Sequence, residues 1–330
     1  MVENISLPES GMREVITIIM NFITGSLLII TGVSTMGGTL ERANSKLLNK
    51  TISLFSKNRW TAFFTGIFLT GLVQSSTAVT ILTVSLVDSG IMKLEAAVSI
   101  VYGANIGTTF NAQFMSLHIS QYAWYILIAG CILSFGTVAR LKTAGTVIAG
   151  AGLMFSGLDL MSKSVMILKD NSFLAQWMQD HSENIFLCLV TGLVFTMLAQ
   201  SSSATVGMTI LLFNNGLLPF ASAVALTLGD NIGSCIIAQI ASIKSGTAGK
   251  RVALAHTLYN VLGVAVAFLL LPQFCGAVLV ATRHLGQDSS HLVANTHTIF
   301  NLLSAMLFLP ISKYYVQLLR FILPDKIIER

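Results

Sequence analysis

Seven apolar runs, near residues 15–39, 94–117, 121–139, 144–163, 217–242, 251–271 and 291–312, constrain this chain more than any other feature. Each is about 20 residues long, the length at which a helix crosses the hydrocarbon core of a bilayer. None alternates polar and apolar residues, as barrel strands would. Charged residues make up only 10% of the chain and mean hydropathy is +0.77, where a soluble domain carries roughly 25% charge. The chain therefore reads as an all-α, multi-pass membrane protein. Glu3, Glu9 and Glu14 leave no apolar centre for a cleavable signal in the first fourteen residues.

The net charge of +5 does not point to nucleic acid, because the cations punctuate the apolar runs instead of forming one face. They report topology. With the segment from Thr39 to Trp60 in the cytoplasm, Arg42, Lys46, Lys50, Lys57 and Arg59 fall inside with most other cations. Only Arg13, Lys163, Lys169 and Arg283 fall outside, as the positive-inside rule requires. The amino terminus then starts outside.

A repeat organises the rest. "TGIFLTGLVQSSTAVTILTVSLVDSG" from Thr65 aligns with "TGLVFTMLAQSSSATVGMTILLFNNG" from Thr191, and the same offset of 126 continues without a gap to Gln113 and Gln239. Nineteen of these forty-nine positions are identical, where apolar bias alone gives about 10%, so the segment is duplicated. Residues 61–90 are too many for one span and too few for two, since arms of about fourteen residues reach ~21 Å of a ~30 Å core. Two re-entrant hairpins are therefore expected, 61–90 and 185–216, with tips at Gln74–Thr77 and Gln200–Ser203. Three crossings separate the units, which predicts an inverted-topology repeat with about seven full transmembrane helices. The expected boundaries are 15–140 for the first unit, 144–272 for the second, an additional transmembrane helix within 273–312, and a basic cytoplasmic tail at 313–330.

Irregular backbone at mid-depth must line a wet cavity or be buried in protein. At each tip a helix begins, so free N–H groups and the helix dipole favour an anion there. Ser75, Ser76, Thr77, Ser201, Ser202 and Ser203 add hydroxyl donors, and the Gln74 and Gln200 amides supply a donor and an acceptor each. "GANIGTT" (103–109) and "GDNIGSC" (229–235) place two glycines around Asn105 and Asn231, a pattern that permits an unwound stretch with carbonyls for a hard cation, Thr108 and Ser234 beside it. Asp230, whose counterpart is Ala104, is the one carboxylate deep in the duplicated cores and reads as a cation or proton site. His256 and Asn260 share one helix face, as do His297 and Asn301, which predicts interhelical hydrogen bonds in support of the cavity. Cys131, Cys188, Cys235 and Cys275 lack metal or disulfide spacing. Neither a nucleophile elbow nor a phosphate loop is present, so no enzyme and no ATP-driven pump is expected.

The paired Gln-Ser-Ser-(Ser/Thr) tips, the "GANIGTT" and "GDNIGSC" twins, and "RVALAHTLYN" followed by "HTIFN" resemble the type II sodium/phosphate cotransporters and their bacterial relatives, over about residues 20–312. The resemblance implies sodium-coupled symport of inorganic phosphate across the cell membrane, in bacteria the inner membrane, with sodium as co-substrate and no other cofactor or metal. Carried over, the two tips form the substrate and sodium sites; a homo-oligomer is allowed. Position 77 is Thr where the motif usually has Ser, which keeps the hydroxyl. The first half lacks the His-x-x-(Phe/Tyr)-Asn signature, its equivalent helix reading "QYAWYILIAGCILSF". Some relatives carry a carboxy-terminal regulatory domain, which a chain of this length is expected to lack. The competing readings are a transporter of another small oxyanion or dicarboxylate, and an anion channel, which would usually line its path with charged rings.

Overall fold

A computed structural model describes residues 9–44, 58–117 and 119–325, and among these the fold is helical throughout. The first eight residues, most of the basic segment after Arg42 (45–57, with Lys46, Lys50 and Lys57) and Lys326 and Arg330 lie outside the described residues. Four helices are long and apolar enough to span a bilayer: Gly11–Ala43, Ala139–Asp170, Phe220–Ser242 and Thr247–Leu269. Three sharply bent pairs bring the number to seven if each is one span. Helices of this number, length and apolarity suit a multi-pass membrane protein.

In chain order the helices are α1 (Glu9–Ala43), α2 (Arg59–Val73), α3 (Ser76–Asp88), α4 (Leu94–Met115), α5 (Ala123–Ser134), α6 (Ala139–Asp170), α7 (Ser172–Ser182) and α8 (Ile185–Ala199). They continue as α9 (Ser202–Asn214), α10 (Phe220–Gly233), α11 (Cys235–Ser242), α12 (Thr247–Leu269), α13 (Leu271–His284), α14 (Leu292–Phe308) and α15 (Ser312–Ile322). The long α1 and α6 lie against each other where Gly32 meets Gly150; a Cβ on Gly32 would stand 2.4 Å from the Gly150 carbonyl oxygen. Such small-residue contacts let membrane helices approach closely where no hydrophobic effect drives them together.

The 126-residue repeat is also a repeat of local geometry. Asn58 caps α2 by accepting from Thr61 N at 2.9 Å, and Asn184 caps α8 by accepting from Leu187 N at 3.0 Å. Both helices stop at a left-handed glutamine, Gln74 with φ 57° and Gln200 with φ 51°, the only described non-glycine residues with positive φ. Two residues later α3 and α9 begin, capped by Ser75 and Ser201. α2 packs along α4 and α8 along α10, through Gly103, whose Cβ would fall 2.0 Å from Phe63 O, and Gly229, whose Cβ would fall 1.9 Å from Leu189 O.

Several sequence expectations need correction. "GANIGTT" is not unwound, since α4 runs unbroken from 94 to 115, and "GDNIGSC" breaks only at Ser234, whose φ −63° and ψ −20° remain helical. The glycines serve close packing, which a glycine inside a helix suits as readily as unwinding. The run 121–139 folds as the 12-residue α5, too short to span alone, bent 74° from α4. Residues 273–312 hold most of α13 and all of α14, where one helix was expected. The basic tail is helical over its first part, as α15, set at 84° to α14. Tyr315, Val316 and Leu319 bury one face of α15 against Tyr102, Tyr259 and Phe308.

Candidate functional site

Both tips open into one cavity of about 280 Å³, lined by Gln74 to Ala78 from the first unit and Gln200 to Ser203 from the second, with Thr108, Asn111 and Ser234. All the hydroxyl residues singled out at the tips therefore share one space. The break that brings them there is local. Gln74 and Gln200 turn left-handed, which costs an L-residue on the order of 1 kcal/mol, and the chain then re-enters a helix whose first residues line the cavity. Ser75 Oγ accepts from Ala78 N at 3.1 Å and Ser201 Oγ from Ala204 N at 3.4 Å. A hydroxyl that accepts still has its own proton to donate. Gln74 spends its amide N–H on Gly71 O.

A second, adjoining space of about 10 Å³ is lined by Ser76, Thr108, Ser202 and Ser234, shared with the larger cavity, and by Asn105, Asp230, Asn231 and His297. That is room for about one water-sized occupant. Asp230 is fully buried; its Oδ1 accepts from Thr196 Oγ1 at 2.8 Å, and Thr196 lies 2.6 Å from Thr205 Oγ1. Among the described residues its Oδ2 has no hydrogen-bond partner, and neither has the Nδ1 of His297. A buried carboxylate oxygen without a donor is costly unless an ion or proton satisfies it.

The asparagines are engaged in a crossed pattern that sequence reasoning missed. Asn105 donates to Asn260 Oδ1 at 3.2 Å, and its own Oδ1 lies 3.0 Å from His256 Nε2. Asn231 accepts at Oδ1 from Asn301 at 3.2 Å. Gln113, at the far end of α4, donates to Thr298 and Asn295, both at 3.0 Å. Gln239 on α11 donates to Thr257 at 2.6 Å and to Ala253 O at 3.0 Å. Thus α12 serves the asparagine of the first unit and the glutamine of the second, and α14 the reverse. The first-half helix that lacks the histidine signature, α5, packs on α6, and His256 reaches the first unit's Asn105 from α12. Gln113 and Gln239 are identical residues at the end of the aligned repeat, a signal that could have marked them. The helical asparagines thus hold α12 and α14, while the two spaces concentrate hydroxyls, helix N-termini and two carboxylates, Asp230 in the small space and Glu41 in the main cavity.

Wet, hydroxyl-lined space between broken membrane helices is the architecture of a secondary transporter. Comparison with known sequences narrows this: residues 28–163 and 168–286 match the family described as Na+/Pi-cotransporter, and the chain belongs to that family. It is 30% identical over 313 residues to "Uncharacterized protein YqeW" of Bacillus subtilis (strain 168), covering 94% of this chain and 99% of that one. It is 26% identical over 309 residues to "Putative inorganic phosphate export protein YjbB" of Salmonella typhimurium, covering 93% of this chain but only 56% of that longer protein. Over 155 residues it is 29% identical to "Sodium-dependent phosphate transport protein 2A" of Ovis aries, 40% of this chain and 23% of that one. No solved structure gives a significant match.

Proposed function

We propose that this protein is a sodium-coupled symporter of inorganic phosphate that binds its substrate between the two Gln-Ser-Ser tips. The observation that carries this is the single cavity shared by Gln74–Thr77 and Gln200–Ser203, with the starts of α3 and α9 at its wall. Phosphate is tetrahedral and carries one to two negative charges at neutral pH. Two helix N-termini and the hydroxyls of Ser75, Ser76, Thr77, Ser201, Ser202 and Ser203 share that charge without a buried arginine. Sodium takes the oxygen-rich positions, Gln74, Gln200, Thr108 and Ser234 at the rim and Asn105, Asn231 and Asp230 in the small adjoining space. His256, Asn260, His297 and Asn301 support it. The unpartnered oxygen of Asp230 favours a cation in that space.

In this reading helices α2–α3 and α8–α9 are re-entrant hairpins, whose arms of 15, 13, 15 and 13 residues fall short of a full span. The first lies within an amino-terminal unit, 15–140, and the second within an inverted unit, 144–272. The crossed use of α12 and α14 fits two units related by a two-fold axis that exchanges those helices, and the odd number of crossings between the units makes that relation an inversion. In this reading the protein sits in a cytoplasmic membrane, where the inward sodium gradient drives uptake.

The deciding experiment is phosphate uptake into liposomes holding the purified protein, with a sodium, potassium or proton gradient imposed in turn. Uptake driven by sodium alone, inhibited by excess arsenate more than by a dicarboxylate, is expected. Equal uptake on a proton gradient without sodium overturns the coupling. Uptake of sulfate or a dicarboxylate in place of phosphate overturns the substrate.

A further inference from the structure

One charged side chain among the described residues lines the main cavity, and it has the sign of the proposed substrate. Along α1 the lining residues are Ile30, Val33, Ser34, Gly38 and Glu41, one stripe of a helix, running ~16 Å from a half-buried start to exposed Glu41 at the rim. Arg42 follows in the same last turn but does not line the cavity. The position is electrostatically unfavourable for a carboxylate, since the carboxyl end of a helix already carries about half a negative charge. Glu41 and the α1 carboxyl end therefore add their fields at the same opening, whereas the α3 and α9 amino ends and the hydroxyls make the far wall attractive to anions.

We propose that Glu41 gives the mouth of this cavity a negative potential that draws cations in and discriminates against highly charged anions, so that a monoanion passes to the hydroxyl floor more readily than a dianion of the same shape. For the transported ions this rests on the sodium–phosphate reading, but the potential itself does not. A unit charge about 8 Å away in a water-like medium changes a local concentration about two-fold per unit of ligand charge, and salt screens the effect.

The test reads the potential directly. In a background with Cys131, Cys188, Cys235 and Cys275 replaced, Thr77→Cys is labelled by two methanethiosulfonates of similar size, one bearing trimethylammonium and one bearing sulfonate. With Glu41 present the cationic reagent reacts faster relative to its rate on a free thiol. Glu41→Gln lowers the cation-to-anion rate ratio about four-fold, two-fold from each reagent. Glu41→Lys lowers it further, Glu41→Asp keeps it, and about 1 M salt collapses the differences. An unchanged ratio in both Gln and Lys variants, a shift that survives high salt, or an Asp variant that behaves as Gln each overturns the proposal. In proteoliposomes of the chain with Thr77 intact, and with phosphate presented on the face that carries Glu41, the same Glu41→Gln change lowers phosphate KM two- to four-fold with kcat held. A shifted labelling ratio, in a protein whose Thr77-containing parent moves no phosphate, leaves the role of Glu41 standing and sinks the substrate reading instead.

Discussion

In the second unit a buried carboxylate, Asp230, accepts from Thr196, which in turn meets Thr205; in the first, the matching positions are Ala104, Thr70 and Val79. The backbone around them is nearly a copy: the capping asparagines, the left-handed glutamines, the serine N-caps and the glycines that seat α2 on α4 and α8 on α10 recur at one offset. In the first unit the Thr70 hydroxyl has no hydrogen-bond partner among the described residues. Duplication thus supplies two equivalent frames, and side-chain divergence makes them unequal. In the proposed mechanism the shared frame holds an anion between both tips, while the difference at 104 and 230 gives one side of the site a cation position the other lacks.

The comparison is most exposed at the glycines. Gly103→Ala and Gly229→Ala each drive a Cβ to within about 2 Å of a backbone oxygen, so both variants should lose about 3 kcal/mol or more. Thermal unfolding in detergent should show both collapsing to a similar degree; damage from only one would break the claim of a common frame. Next in size is Asp230→Asn. We expect at least a ten-fold rise in the sodium concentration for half-maximal transport, with phosphate KM within about three-fold, because a carboxylate attracts the cation and repels the anion. Sodium dependence kept and phosphate affinity lost would reassign Asp230.

A smaller contrast separates the two threonines. Thr196→Val removes a donor to a buried carboxylate and should cost about 1–3 kcal/mol, whereas Thr70→Val removes a hydroxyl without a partner and should be neutral or slightly stabilising. Equal melting temperatures for the two variants would mean that the Asp230 cluster contributes no stability. Finest is sidedness. With the four native cysteines replaced, Ser76→Cys should react with an impermeant thiol reagent several-fold faster from the cytoplasmic side, and Ser202→Cys faster from outside. Phosphate with sodium should slow both. Labelling of both from one face only, without protection, would remove the inverted reading.

How much of this was visible in the residue string depends on how local the cause was. The two breaks at Gln74 and Gln200 were legible because a polar tripeptide in an apolar run and a length mismatch are both short-range signals. The joint cavity was legible only through the repeat, which made each tip evidence for the other. The state of "GANIGTT" was not, because glycine in a membrane helix serves unwinding or close packing, and which one holds is decided by a distant neighbour, here Phe63 or Leu189. The crossed contacts of α12 and α14 were hidden for the same reason: Gln113 and Thr298 are 185 residues apart, and no spacing rule joins them. Nothing in the residue string singled out Glu41, which the folded chain sets in the lining of the cavity.

The left-handed glutamines carry an implication for anyone who would engineer this protein. Glycine adopts their backbone freely, so Gln74→Gly or Gln200→Gly should relieve strain of roughly 1 kcal/mol at the turn, offset by glycine's extra freedom in the unfolded chain. Screening for heat resistance would thus find little reason to keep an amide at either turn, and screening for transport would find a strong one. In the proposed mechanism, a library scored on melting temperature alone would then accept glycine at residues 74 and 200 with little signal, and transport would be lost there unnoticed.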